Sequence, residues 1–146
     1  MLNKMPEALA LLKQEIEESG GDEVELCYYP ETNDPEGEPR IRQVVRRWAE
    51  DCGHTLRNPI QSQHFVRYSV DDARKWLVER LTKDLVFNAQ AMNSWHAQRV
   101  ADSLLGLQTF QSAYRERFVV RDYTFSDIML LSDCSNTIVI AFMGED

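Results

Sequence analysis

Thr137-Ile-Val-Ile-Ala-Phe-Met143 is apolar at every position from Ile138 to Met143. A strand of this kind either lies in the middle of a sheet covered on both faces or presents an apolar face for assembly. Two more apolar runs precede it, Arg117-Phe-Val-Val-Arg121 and Asp127-Ile-Met-Leu-Leu131. The linkers Asp122–Ser126 and Ser132–Asn136 are short and turn-forming, and short connections predict an antiparallel meander.

Upstream the period becomes helical. Pro6 to Ser19 forms a first helix, with Leu9, Leu12 and Ile16 on one side and Gly20-Gly21 as its stop. Glu23 to Tyr29 alternates as a strand whose place in the sheet is not defined by pattern alone. Pro30 to Pro39 is an acidic loop. A second helix covers Arg40 to Cys52, with the stripe Ile41, Val44, Val45 and Trp48 and with arginines on its other faces. Residues 54–68 are irregular, with a turn at Asn58-Pro59 and a short strand over His64 to Tyr68. Ser69 caps a third helix that extends to Asp84 and buries Val70, Ala73, Leu77 and Leu81, with Trp76 at the stripe's edge. A fourth helix occupies Val86 to Leu105 and exits at Gly106. The expected fold class is α+β: a single domain with a three- or four-stranded, mainly antiparallel sheet ending in a C-terminal meander, packed by about four helices.

At 146 residues, a chain folding as one unit hides roughly 68–70% of its unfolded surface, enough for a core without metals or disulfides. No apolar run approaches membrane-spanning length and the start lacks a signal-peptide core, so a cytoplasmic protein without membrane contact is expected. Cys27, Cys52 and Cys134 are odd in number and never spaced Cys-x-x-Cys, which favours buried thiols over a disulfide framework or zinc site. The net charge of −8 opposes nonspecific nucleic-acid binding. It is unevenly spread: residues 1–38 carry −9, residues 39–83 carry +5 and residues 84–146 carry −4.

No linear motif identifies a chemistry. Glycine-rich phosphate loops and hydrolase serine motifs are absent. A calcium loop aligned on Gly37 places Thr32 and Gln43 where carboxylates are needed. His54 stands two residues beyond Cys52, a spacing that activates a thiolate only in an unusual local geometry. His54 and His64 with a carboxylate have no metal-ligand spacing. No cofactor and no metal site is expected.

The informative segment is Leu85 to Tyr114, thirty residues with two charges, Arg99 and Asp102. Met92, Val100, Leu104 and Leu107 are explained as a face packed on the sheet. Asn93, Trp95, His96 and Arg99 form a neutral, aromatic row where lysine and glutamate are ordinary, as in an interface centre. Arg42, Arg46 and Arg47 offer planar forks for phosphate. Glu31, Asp34, Glu36 and Glu38 offer a negative surface for steering. The expectation is a small acidic protein that binds a partner macromolecule, first of all a protein, in the manner of a bacterial or phage inhibitor, immunity or anti-defence protein. The alternatives are a nucleic-acid-associated regulator using the arginine helix and an enzyme around His54, His64 or His96. Homo-oligomer formation is compatible with all three.

Overall fold

The computed structural model describes residues 4–30, 38–56, 65–85, 87–116, 120–121, 123, 125–133 and 136–144. Among these residues the order is α1 (Met5–Glu18), β1 (Glu23–Tyr29), α2 (Glu38–Cys52), β2 (Val66–Tyr68), α3 (Val70–Thr82), α4 (Ser94–Leu105), β3 (Ser112–Glu116), β4 (Phe125–Ser132) and β5 (Thr137–Gly144). The protein is α+β. Its five strands form one sheet in the order β1-β5-β4-β3-β2, with every neighbouring pair antiparallel. That is more than the three or four strands expected. β1 joins along its whole length beside β5, and the three-residue β2, too short for alternation to register, extends the opposite edge.

The apolar run Thr137–Met143 lies in β5 between β1 and β4, and every one of these residues is buried. Period-two geometry divides its side chains between two cores. Ile138, Ile140 and Phe142 meet α1, α3 and α4 on one face, while Val139, Ala141 and Met143 meet α2 on the other. β4 divides in the same way, with Met129 and Leu131 on the three-helix side and Ile128 and Leu130 on the α2 side. Helices therefore cover both faces. No helix among the described residues is long and apolar enough to cross a membrane.

The meander β3-β4-β5 is present, but its first strand is Ser112–Glu116 and not Arg117–Arg121. Pairing Ser112 with Ser132 and Glu116 with Ile128 buries Ala113 and Tyr114. Val120 forms an isolated bridge with Leu56, and residues 117–119 lie outside the described set. At the β4–β5 turn the Asp133 amide donates to the Asn136 carbonyl at 3.0 Å. Buried Arg40 reaches that turn from α2, donating from Nη1 to the Asp133 carbonyl at 2.7 Å.

α4 begins at Ser94, eight positions after the expected Val86. Residues 83–85 and 87–92 instead form a reversal: Lys83 bridges Gln90, the Asp84 amide donates to the Ala89 carbonyl, and Asp84 Oδ1 accepts from the Phe87 amide at 2.6 Å. Asn88 takes a left-handed φ of 55°. Asp and Asn side chains compete with the helical ladder for backbone donors, and two of them, Asp84 and Asn88, interrupt this segment. The reversal lies against the turn after α1. Gly21, with φ 95°, comes so close that an added Cβ would sit 2.9 Å from the Ala91 Cβ. Glycine is required there by both dihedral and space.

Candidate functional site

The neutral row is built by the start of α4, and the structure divides it. Asn93 is the N-cap, its Oδ1 accepting from the His96 amide at 2.9 Å. His96 turns to α1, where its Nε2 lies 2.5 Å from Glu15 Oε1. Both side chains therefore hold α4 in place. Trp95 and Arg99, one turn apart, face outward: Trp95 is 69% exposed and the Arg99 guanidinium lies 5.0 Å from its ring centroid. The stack supports an otherwise unshielded indole and holds the guanidinium near one position. Asn93→Ala is expected to cost about 1 kcal/mol of stability, and Asn93→Gly only a few tenths, in urea unfolding.

Part of the low charge of this helix follows from its packing against α1 and α3. Ala97, Val100, Ala101 and Leu104 are buried against the sheet and its neighbours. Asp102 is claimed by α3, accepting from Arg74 Nε at 2.8 Å, and Gln98 donates to Ser94 Oγ at 3.2 Å. Phe87 and Leu11 are also largely exposed, on the loop before α4 and on α1.

The arginines of α2 do not share one fate. Arg42 is half-buried with its Nε shielded from solvent, whereas Arg46 and Arg47 are exposed. Arg47 stacks over the Tyr29 ring at 5.1 Å. Exposed acids Glu50 and Asp51 follow on the same helix, so the basic surface is narrow. Glu38 is the first residue of α2 rather than a loop acid. Asp34 and Glu36, like His64 and Cys134, lie outside the described residues.

A second cluster lies where β1, α2 and the residue pair after α2 converge. Glu25 Oε2 accepts from Trp48 Nε1 at 2.8 Å, and both Glu25 oxygens lie 2.9–3.0 Å from His54 Nε2. The His54 ring packs on Trp48 at 4.6 Å between centroids and meets Tyr123 edge-on at 5.7 Å. Tyr29 donates from its hydroxyl to Asp51 Oδ2 at 3.0 Å. The partners of Glu25 lie 23 and 29 residues away, so nothing local signalled them. The available clue was an acid in mid-strand with the same parity as Cys27 and Tyr29.

His54 thus engages the Glu25 carboxylate, in keeping with a Cys52–His54 spacing that did not favour a thiolate pair. Burial pushes both the Cys27 and the Cys52 thiol upward, Cys52 to about 12 with help from Cys27 and Glu25. A thiol so placed is the opposite of an activated nucleophile. Compared with an ordinary cysteine near 8.5, its thiolate fraction at pH 8 falls by roughly three orders of magnitude. Site-resolved alkylation with iodoacetamide at pH 8 should leave Cys52 unmodified in the native protein and label it rapidly in denaturant. Native labelling at the denatured rate would contradict this environment.

A separate open cleft of about 330 Å³ is lined by Asp22, Glu23, Asp84, Phe87 and Tyr123, among others. Its acids already accept internal hydrogen bonds: Asp22 from the Leu85 amide at 2.9 Å, Glu23 from the Tyr123 hydroxyl at 2.7 Å and Asp84 from the Phe87 amide. Burial raises the Asp22 carboxyl above its ordinary range. Among the described residues, no group of three or more His, Cys, Asp or Glu side chains is placed to hold a metal ion. No protein-family model, curated protein or solved structure matches this chain.

Proposed function

We propose that the protein acts by binding a protein partner, with Trp95 and Arg99 at the centre of the contact. The observation that carries this is an indole 69% exposed on a rigid helix, with a guanidinium stacked on it. Interface centres are enriched in tryptophan and arginine, and such residues supply most of the binding energy when a partner desolvates them. A folded helix presents them at low entropic cost, because Asn93 and Glu15–His96 already fix its start.

The net charge of −8 favours a basic partner and a salt-sensitive encounter. An inhibitor or immunity-type protein that occupies a partner's surface fits these properties. Affinity purification from the native host tests the proposal by comparing the wild type with Trp95→Ala and Arg99→Glu. A partner recovered with the wild type should fall at least tenfold in both variants while their unfolding midpoints stay close to wild type. Equal recovery of the same partner by all three proteins removes Trp95 and Arg99 from the contact. The exposed Arg46 and Arg47 allow nucleic acid as the competing partner. A salt-dependent gel shift abolished by Arg46→Glu and untouched by Trp95→Ala would replace the protein-binding proposal with that one.

A further inference from the structure

The sheet ends differently at its two edges. β2 is three residues long and carries exposed Arg67, a short, charged edge of the kind that resists further pairing. β1 is seven residues long, paired with β5 without interruption from Glu23↔Met143 to Tyr29↔Thr137, and contains no proline, lysine or bulge. No backbone hydrogen bond of β1 other than those to β5 occurs among the described residues. Its outer row of amides and carbonyls is therefore open there.

Exposure along β1 points to the same edge. Four consecutive residues, Glu25 to Tyr28, are half-buried although they alternate between the two faces. If one face were bare, exposure would alternate with it. Here both faces are covered, Leu26 and Tyr28 by the three-helix core and Cys27 by the α2 core, so the residual exposure comes from the strand's outer side. β5, covered by the same two cores and paired on both sides, is buried from Thr137 to Met143.

We propose that β1 pairs with β1 of a second copy of this chain, antiparallel across a two-fold axis at Leu26, giving a continuous ten-stranded sheet. The sequence of the strand is self-complementary in that register. On the three-helix side Val24 faces the copy's Tyr28 and Leu26 faces its counterpart, an apolar row throughout. On the α2 side Glu23 faces Tyr29 and Glu25 faces Cys27, so no two acids stand directly opposite one another. Like charges directly opposite would be destabilising, and shared apolar pairs contribute to strand association. Both acids are also internally hydrogen-bonded, Glu23 to Tyr123 and Glu25 to Trp48, which keeps them from projecting along the edge.

Sedimentation equilibrium of the whole protein over a range of concentrations tests this, paired with hydrogen exchange at each concentration. The expected result is a species of twice the 17.0 kDa chain mass, with β1 amides protected where that species dominates and losing protection on dilution. Leu26→Lys places two ammonium groups on the axis and should weaken dimerisation at least tenfold. Should that variant fail to fold, the concentration dependence of exchange in the wild type still decides. A chain monomeric at all concentrations overturns the proposal, as does a dimer whose β1 amides exchange as they do in the monomer. Protection of β1 that appears only when a foreign strand is added assigns the edge to another occupant and equally overturns it.

Discussion

Asp127→Ala lowers the unfolding free energy by about 3 kcal/mol, the lower end of the range for removing one partner of a buried ion pair. Asp127 on β4 has a side chain only 1% exposed and accepts from Arg115 on β3 through both oxygens, Nε to Oδ1 at 2.9 Å and Nη2 to Oδ2 at 2.8 Å. Arg115 Nη1 donates to the Tyr68 hydroxyl at 3.0 Å, tying in β2, and Arg80 of α3 approaches Asp127 at 3.8 Å. Burial works against the Arg115 charge. Its hydrogen bonds to Asp127 and Tyr68 outweigh that effect, and its pKa rises above an already high ordinary value.

Alanine at position 127 leaves two guanidinium groups facing a site with no anion. The loss stays near the lower end because Arg115 is 23% exposed and keeps some contact with water. The double change Asp127→Leu with Arg115→Met should recover part of the loss, since a well-packed apolar pair often matches a buried ion pair while Arg80 still faces the site. Urea unfolding followed by circular dichroism measures both variants. A single mutant as stable as the wild type would show that the pair contributes nothing net.

Trp48→Ala is the larger perturbation and is expected to cost about 3–5 kcal/mol. The side chain is fully buried in the α2 core, where it lies with Val44, Val45, Ile128 and Val139. It also supports the His54 ring and donates to Glu25. Trp48→Phe separates the two contributions. Phenylalanine keeps most of the apolar contact and removes the Nε1 donor, and a loss of about 1–2 kcal/mol is expected from the hydrogen bond and the smaller ring. Equal costs for alanine and phenylalanine would mean that the Glu25 bond, not the packing, dominates.

Much of this architecture is legible in one dimension. Glu23–Tyr29 reads as a strand because its alternation starts directly after a glycine pair that ends a helix. β4 and β5 read from their apolar runs, and Ser69 reads as the cap it is, accepting from the Asp72 amide at 3.1 Å. The misplaced first strand of the meander has a physical cause: Phe118, Val119 and Val120 are more apolar than Ser112–Glu116, yet pairing with β4 selected the latter. The fold-back between α3 and α4 was hidden because Leu85, Val86 and Phe87 continue a helical apolar pattern. Side-chain hydrogen bonding at Asp84 then overrides that pattern.

The candidate site was legible in composition and only partly in geometry. An aromatic in a stretch depleted of charge marked Trp95, while helical spacing set Arg99 in a row with Asn93 and His96 and the structure stacks it on Trp95. The same spacing joined Asn93 and His96 to that surface, whereas capping and the Glu15 contact assign them to holding the helix. Asn93 precedes the first helical residue, a position where asparagine is preferred, and that was the local clue to its role. Glu25, His54 and Trp48 meet only through tertiary contacts, beyond the reach of any local pattern.

The pairing of β1 with β5 joins the first strand of the chain to the last. During synthesis, Tyr29 is complete long before its partner Thr137 is made, a delay of roughly 5–20 s at ordinary elongation rates. For that interval the nascent chain holds a strand without its β5 neighbour, shielded on one face by α1 and, once residues 38–52 are made, on the other by α2. The sheet closes in one late event that brings together residues more than a hundred positions apart, a topology associated with slow folding. Stalled or shortened chains lacking β5 would therefore expose the N-terminal strand to chaperones, proteases or one another.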